Sequence, residues 1–263
     1  MSGRGGNPLW RFAGVRPAAA LFFAYLYLPI VILIVLSFNA NRTVTIWTGL
    51  TTDWYVEVLS NGDILRAARN SLIVAFSATF IATVAGTLAA LGMARGRFRG
   101  EAAVNGVMGL PLVVPEIVTA VATLLFFILV GIKLGLLTVI IGHTVFCTPF
   151  AYLPIRARLE GMDPSLREAA SDLYADAWRA FRRVTLPLLW PGILSGALLA
   201  FIISLDDFVI TYFVAGAGAT TLPVYIFGMI RIGVTPEVNA LSSLMLLVSI
   251  LFVSLSFLVQ RQR

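Results

Sequence analysis

The sequence predicts an all-α membrane protein with six transmembrane helices, and two observations carry that prediction. Of the 263 residues, 59% are hydrophobic and only 12% are charged, whereas a soluble domain usually carries about 25% charged residues. So little polar surface disfavours a soluble enzyme, a disordered chain and a nucleic-acid-binding domain. The second observation is six apolar runs of the length that crosses a bilayer as a helix, about 20 residues.

The six predicted spans differ in how purely apolar they are. The third contains Pro111, Pro115 and Glu116, and the fifth contains the adjacent pair Asp206 and Asp207, while the other four carry no formal charge. Proline breaks inside a span are tolerated where the helix lines protein or a water-filled path. In chain order, the predicted spans are residues 18–38, 71–94, 104–132, 134–155, 188–216 and 240–259.

The basic residues predict the orientation of the spans, because cytoplasmic loops carry an excess of Arg and Lys. With both termini in the cytoplasm, 14 of the 19 basic residues fall inside and five fall outside. The net charge of +6 is therefore explained by membrane topology, and no nucleic-acid partner is expected.

Two spans carry a small residue at every fourth position, a spacing that lets helix backbones approach closely in lipid. We expect both stripes to be packing surfaces. They are Ala78, Ala82, Gly86, Ala90 and Ala94 in the second span, and Gly192, Gly196, Ala200 and Ser204 in the fifth.

Residues 156–187 form the one extended polar segment on the predicted cytoplasmic face. Asp163-Pro164 is a helix start, since Asp caps helices and Pro suits the first helical position. Helical spacing then predicts two short amphipathic helices. A loop lying on the lipid surface is one interpretation, and docking of the small-residue face into another protein is the other. The predicted faces are Leu166, Ala169, Ala170 and Leu173, then Trp178, Phe181 and Val184.

Within this segment, Glu168-Ala169-Ala170 and the later Leu186-Pro187 resemble the EAA loop of bacterial ABC-importer permeases. The resemblance implies a type I importer permease bundle whose loop forms coupling helices in a cleft of a cytoplasmic ATPase. Tyr174 stands where the family usually has glycine, so the turn between the helices is expected to be made differently. The implied coupling residues are Glu168, Ala169, Ala170, Leu173, Tyr174, Ala175, Leu186 and Pro187.

Further motifs resemble the polyamine (putrescine and spermidine) branch of that family. The resemblance implies a permease core at residues 66–259, preceded by a tail, first helix and outer loop at 1–65 and followed by a cytoplasmic tail at 260–263. It also implies a bacterial inner-membrane location, two ATP-binding subunits, a second permease and an extracytoplasmic binding protein. The motifs are residues 115–119, 143–149, 204–207, 218–223 and 236–241.

The intramembrane acids Glu116, Asp206 and Asp207 are candidate path residues, because a buried acid costs roughly 2.5–3.5 kcal/mol at mid-helix. On an ideal helix, Asp207 projects near the middle of the small-residue stripe and Asp206 lies about 100° away. Carboxylates, with Phe208 and Tyr212 adding cation–π attraction, suit a cation that has lost its hydration. Alternatively, one or both Asp residues cap a helix or pair structurally.

No metal site, cofactor or ATP site is expected. A phosphate-binding loop needs Gly-Lys-Ser/Thr, and the single lysine, Lys133, lacks those neighbours. The chain has one cysteine and one histidine, and His143 is expected to hydrogen-bond within the bundle. Three alternatives stay open: a permease for another small organic solute, a secondary transporter using Asp206 and Asp207 as an ion site, and an intramembrane hydrolase. The hydrolase is disfavoured because no nucleophile–base pair is evident.

Overall fold

The computed structural model of the chain describes residues 14–94, 99–163 and 165–261. In these ranges the chain is helical, with one isolated bridge between Asn39 and Leu50, which confirms the predicted all-α class. Pro164 and five arginines predicted to be cytoplasmic lie outside the described residues, and the orientation in the membrane stays a prediction. Those arginines are Arg4, Arg11, Arg95, Arg97 and Arg263.

The helices divide between two compact units. One contains the described residues up to Asn61 together with Gly228–Leu247, and the other contains Gly62–Phe227 and the residues from Val248 onward. The division at 65/66 predicted from the sequence stays a prediction. In chain order, the helices are α1 Val15–Leu36, α2 Asp53–Ser60, α3 Gly62–Met93, α4 Glu101–Val113, α5 Glu116–Val130, α6 Leu136–Glu160, α7 Ser165–Asp172, α8 Ala177–Ala180, α9 Leu186–Asp206, α10 Val209–Val214, α11 Leu222–Ile232 and α12 Pro236–Arg261.

Five helices in the described part of the chain are long and apolar enough to cross a membrane, and a bent pair supplies a sixth candidate. The five are α1, α3, α6, α12 and the continuous helix Ala177–Asp206. None of the residues of α1 is buried within the chain, so lipid or another protein must cover this helix. The short helices α2, α10 and α11 were not predicted from the sequence.

The third predicted span is not one straight helix. Helices α4 and α5 meet at an angle of 114°, with Val114 extended at φ −74° and ψ 130°. The residue before a proline is disfavoured in the helical region, because the proline ring clashes with it. Pro115 therefore causes the break, whereas Pro111 lies inside α4. The break places Glu116 at the first position of α5.

The fifth predicted span ends earlier than expected. The helix that forms it also begins earlier, at Ala177 in the predicted cytoplasmic segment. Helix α9 stops at Asp206, and Asp207 is extended with φ −62° and ψ 124° before α10 begins. At the other end, α8 continues into α9 through a π-helical turn at Phe181–Thr185. The second amphipathic helix predicted in the cytoplasmic loop is therefore not separate. Pro187 cannot donate a helical hydrogen bond, and the wider turn before it accommodates that loss.

The larger unit is centred on α3, α6 and α9, and the two small-residue stripes lie in its packing surfaces. All members of both stripes are buried except Ala94, which follows the end of α3. A side chain at Gly196 would overlap the carbonyl oxygen of Ala151 on α6, and one at Gly86 would lie 3.0 Å from the backbone nitrogen of Tyr152. These glycines therefore allow backbone-to-backbone contact, as the sequence predicted.

In the smaller unit, the buried Asn39 side chain organises the loop after α1. Its amide nitrogen donates to the carbonyl of Ile46 at 2.9 Å, and its oxygen accepts from the backbone N–H groups of Asn41 and Thr48. The indole of Trp54 on α2 donates to the Asn39 carbonyl at 2.7 Å. Satisfying these buried polar groups keeps the loop ordered.

Candidate functional site

The breaks after α4 and after α9 lie together in the larger unit. Asp207 occupies the break between α9 and α10, and α10 packs against α5, whose first residue is Glu116. Acidic residues at interrupted helices are typical of ion and substrate sites in membrane transporters.

His143 on α6 connects this break to the end of α9. Its Nδ1 lies 2.8 Å from the Ser204 hydroxyl, and its Nε2 lies 2.8 Å from the Thr211 hydroxyl and 3.0 Å from Oδ1 of Asp207. The His143 side chain is 1% exposed and the Asp207 side chain 2%. Such burial requires that each polar group be paired. His143 thus makes the hydrogen bonds within the bundle that the sequence predicted for a single histidine.

Asp207 caps α10. Its carboxylate accepts the backbone N–H of Thr211 at 3.1 Å and that of Ile210 at 3.5 Å. Because the helix breaks before Asp207, the ideal-helix geometry from which its direction was predicted is wrong. The side chain is nevertheless buried, held by the cap and by His143. The structural interpretation left open by the sequence therefore describes the contacts of Asp207.

Asp206 and Glu116 differ from Asp207 in exposure. Asp206 ends α9 and is exposed, while Glu116 is half-buried. Of the three predicted intramembrane acids, Asp206 is therefore the most exposed and Asp207 the least. The structure packs α5, which begins at Glu116, against α10, and Asp206 directly precedes Asp207 in the chain.

Aromatic rings adjoin the same break. Phe208 lies 5.2 Å, centroid to centroid, from Tyr212 and 4.6 Å from Phe227, and Tyr212 lies 6.0 Å from Phe227. Phe208 and Tyr212 were predicted from their place beside the acids. Phe227 on α11 was missed, because nothing in the sequence indicates that the loop after α10 returns it to this position.

No nucleophile–base pair was expected from the sequence, but the structure places the Ser204 hydroxyl beside the His143 ring. Ser204, His143 and Asp207 form a hydrogen-bonded series, which is the residue set of a serine hydrolase. Ser204 is 3% exposed and His143 1%, so a substrate cannot reach the hydroxyl. The contacts suit structural pairing across the helix break, and they give no support to hydrolysis.

The cytoplasmic segment contains the helix predicted from Asp163. Helix α7 begins at Ser165, whose backbone N–H donates to the Asp163 carboxylate at 2.9 Å. Hydrogen bonds from the Ser165 backbone and hydroxyl lower the pKa of Asp163 below its usual value. Asp176 caps α8 in the same way by accepting the backbone N–H of Arg179 at 2.8 Å.

The turn after α7 is made at Tyr174 in the left-handed conformation, with φ 57°. Ala175 N–H donates to the Ala170 carbonyl at 3.0 Å, the bond that closes a Schellman turn, whose left-handed position is usually glycine. The expectation that Tyr174 would change the turn is therefore wrong. The turn is retained, at a conformational cost of roughly 1–2 kcal/mol for a residue other than glycine.

The predicted coupling residues do not all face outward. Ala170 is buried against its own loop, because its side of α7 faces the π-helical turn, so its predicted place on the exposed docking face is corrected. Leu186 begins α9 half-buried, and Ala175 is likewise half-buried. The exposed members of the set are Glu168, Ala169, Leu173, Tyr174 and Pro187.

Residues 82–262 match the family described as binding-protein-dependent transport system inner membrane component. The chain is 43% identical over 242 residues to the spermidine/putrescine transport system permease protein PotC of Escherichia coli (strain K12), covering 92% of this chain and 91% of that protein. It is 42% identical over 233 residues to the putrescine transport system permease protein PotI of the same strain, covering 86% of this chain and 83% of that protein.

Solved structures share the fold at lower sequence identity. A chain of a bacterial ABC transporter for the import of alginate superposes with a TM-score of 0.74 at 18% identity, covering 97% of this chain and 99% of that one. A chain of the MetNI methionine ABC transporter superposes with a TM-score of 0.64 at 22% identity, covering 75% and 94%. The type I importer permease fold implied by the sequence resemblance is thereby confirmed.

Proposed function

Because this chain belongs to the family of binding-protein-dependent transport system inner membrane components, we propose that it is the permease through which an ATP-driven importer moves polyamines. Relatives covering about nine tenths of its length are spermidine/putrescine transport permeases. A polyamine carries separated positive charges, and its passage through hydrocarbon requires groups that replace lost hydration.

The observation that carries this proposal is the set of acids and aromatic rings where two helix breaks meet. Asp206 and Glu116 supply accessible carboxyl groups, and Phe208 and Tyr212 supply ring faces that attract an ammonium group. Asp207, held by His143 and by the α10 cap, positions Asp206 without itself facing the path. Loss of hydration is offset in this arrangement by charge-assisted hydrogen bonds and cation–π attraction.

The partners follow from the same assignment. We infer that two ATP-binding subunits dock on the loop containing α7, that a second permease completes the path, and that an extracytoplasmic binding protein delivers the substrate. The chain itself then performs no ATP hydrolysis, since the sequence lacks a Gly-Lys-Ser/Thr phosphate loop. A solved relative of this fold was crystallised in complex with an alginate-bound periplasmic protein.

We expect Asp206→Asn to lower polyamine uptake about 10- to 100-fold, the effect of losing one charge-assisted contact worth about 1.5–3 kcal/mol. Uptake of labelled putrescine and spermidine into proteoliposomes containing ATP and the binding protein is the measurement. Asp206→Glu, which restores the charge, should recover most of the rate. Asp53→Asn, which removes an exposed carboxylate at the start of α2, serves as the control. Uptake by Asp206→Asn at the wild-type rate, with the complex intact, contradicts the assignment of Asp206.

We expect a cysteine at Ala169 to crosslink to the ATP-binding subunit, because Ala169 is exposed on α7. The background is Cys147→Ser, which removes the single native cysteine, and Val56→Cys on α2, 66% exposed, is the control. A crosslinked band on gels should form with Ala169→Cys and not with Val56→Cys. Free labelling of Ala169→Cys in the assembled complex, without crosslinking, argues against docking at α7.

Purification of the tagged complex tests the assignment as a whole. Its subunits are identified by mass spectrometry, and ATPase activity is measured with the binding protein and each amine. Stimulation by putrescine or spermidine supports the proposal, and stimulation by another solute alone redirects it to that solute. Uptake into vesicles that lack ATP overturns the ATP-driven proposal in favour of a secondary transporter.

A further inference from the structure

Tyr174 combines a disfavoured backbone with a side chain that packs on nothing within its own loop. Among the residues that the structure describes, it alone has a positive φ without being glycine, and its side chain is 95% exposed. A glycine would make the same Schellman turn without strain. Strained residues persist where an interaction or a function requires them. We therefore look for the interaction of the Tyr174 side chain outside its own loop.

The surroundings of Tyr174 form a surface suited to another protein. Leu173 is 82% exposed and Trp178 is 67% exposed, so three large, partly apolar side chains project from a polar segment. Leu173 and Tyr174 help to line a hollow of about 420 Å³. Its other lining residues are mostly apolar and include Leu166, Ala170, Ala180 and Val184, with Arg179 and Arg183 also contributing. Exposed Tyr and Trp next to an apolar hollow are typical of interface anchors.

We propose that Tyr174 is the anchor by which this permease recognises its own ATP-binding subunit. Its ring inserts into an apolar pocket on that subunit, and its hydroxyl bonds to a polar group at the pocket's edge. The inference rests on the proposed docking of the ATP-binding subunit at α7 and adds a specificity-determining residue to it. The left-handed backbone directs the ring away from the loop and into the partner.

Lipid is the competing occupant, because Tyr and Trp also lie at membrane interfaces. The ATP-binding subunit is favoured by position. Tyr174 lies two residues after the end of α7, which carries the exposed Glu168 and Ala169 of the coupling motif, so the anchor is continuous with the proposed docking surface.

Comparing Tyr174→Gly, Tyr174→Ala and Tyr174→Phe distinguishes the effect of losing the aromatic ring from the effect of relieving the backbone strain. The full-length permease in nanodiscs is titrated with the ATP-binding subunit that copurifies with the wild type. Glycine and alanine variants should both bind at least about 10-fold more weakly, since truncating an aromatic anchor has effects of that size. The Tyr174→Phe variant should lose less binding affinity, because it keeps the ring. The Tyr174→Gly variant should be the most resistant to thermal unfolding, because glycine removes the backbone strain.

Tyr174→Gly binding that equals the wild type overturns the anchor and leaves the proposed function standing. If no ATP-binding subunit copurifies with the wild type, the proposed function fails, and the anchor with it. A bimane probe on Leu173→Cys in the Cys147→Ser background, which leaves Tyr174 in place, identifies the occupant. A blue shift on addition of the ATP-binding subunit supports the proposal, and a shift produced by lipid alone overturns it.

Discussion

His143→Ala is expected to lower the stability of the folded permease by about 3–5 kcal/mol, because truncating this buried side chain leaves a cavity and removes the hydrogen-bond partner of the buried Asp207 carboxyl group. The substitution leaves the Asp207 carboxylate and the Ser204 and Thr211 hydroxyls without their shared partner. Thermal unfolding of the protein in detergent should shift down by roughly 10 °C. Transport should fall with the amount of folded protein.

Two further variants identify the cause of that loss. Thr144→Val, one position away on α6, removes a hydroxyl that bonds only to a carbonyl of its own helix, so its effect should be small. Adding Asp207→Asn to His143→Ala should recover part of the lost stability, because the unpaired buried charge is then removed. If the unfolding temperature of His143→Ala stays within about 2 °C of the wild type, the pair across the helix break contributes little.

Gly196→Ala is expected to prevent normal packing of α6 against α9. The added methyl group would overlap the Ala151 carbonyl, and both groups are backbone-attached, so neither can move without displacing a helix. Overpacking of this kind costs about 1–3 kcal/mol or more. We expect a large loss of folded protein, measured by monodisperse recovery in size-exclusion chromatography and by thermal unfolding.

The other helical glycines provide a graded set of controls. A methyl group added at Gly92 on α3 would meet open space, so Gly92→Ala should stabilise the protein by roughly 0.5–1 kcal/mol. At Gly142 a side chain would lie 2.9 Å from a methyl group of Ile210, and Gly142→Ala should fall between the two. Equal effects at Gly92 and Gly196 would contradict the packing argument.

The sequence was sufficient to predict the spans and the packing stripes, because both depend on local periodicity. Apolar length identified the membrane helices, and the four-residue spacing of small side chains identified the faces by which α3 and α9 pack against α6. Local periodicity does not determine where a helix stops within an apolar run. The adjacent Asp206 and Asp207 were compatible both with a continuous helix that lines a path and with a cap at a helix break, and their residue types do not decide between the two.

The candidate site was predicted only in part, because composition shows which residues are unusual but not which distant residues they contact. The acids stood out because charge is rare in the membrane, but the pairing of His143 with Asp207 joins residues far apart in sequence. Their roles could be assigned only after the break was known: Asp207 became a cap, and Asp206 the accessible carboxylate. The sequence showed that Tyr174 replaces the expected glycine. It did not show that the tyrosine adopts the left-handed backbone conformation that a glycine would take there.

The uninterrupted helix Ala177–Asp206 also has a mechanical consequence. At about 1.5 Å per residue it is roughly 45 Å long, and Gly196, where its backbone lies against that of Ala151 on α6, is about two thirds of the way along. A rigid rod that pivots at this contact moves its ends in opposite directions, with the α8 end travelling about twice as far as Asp206. A displacement of about 4 Å at α8 would thus shift Asp206 by about 2 Å, with Gly196 as the fulcrum.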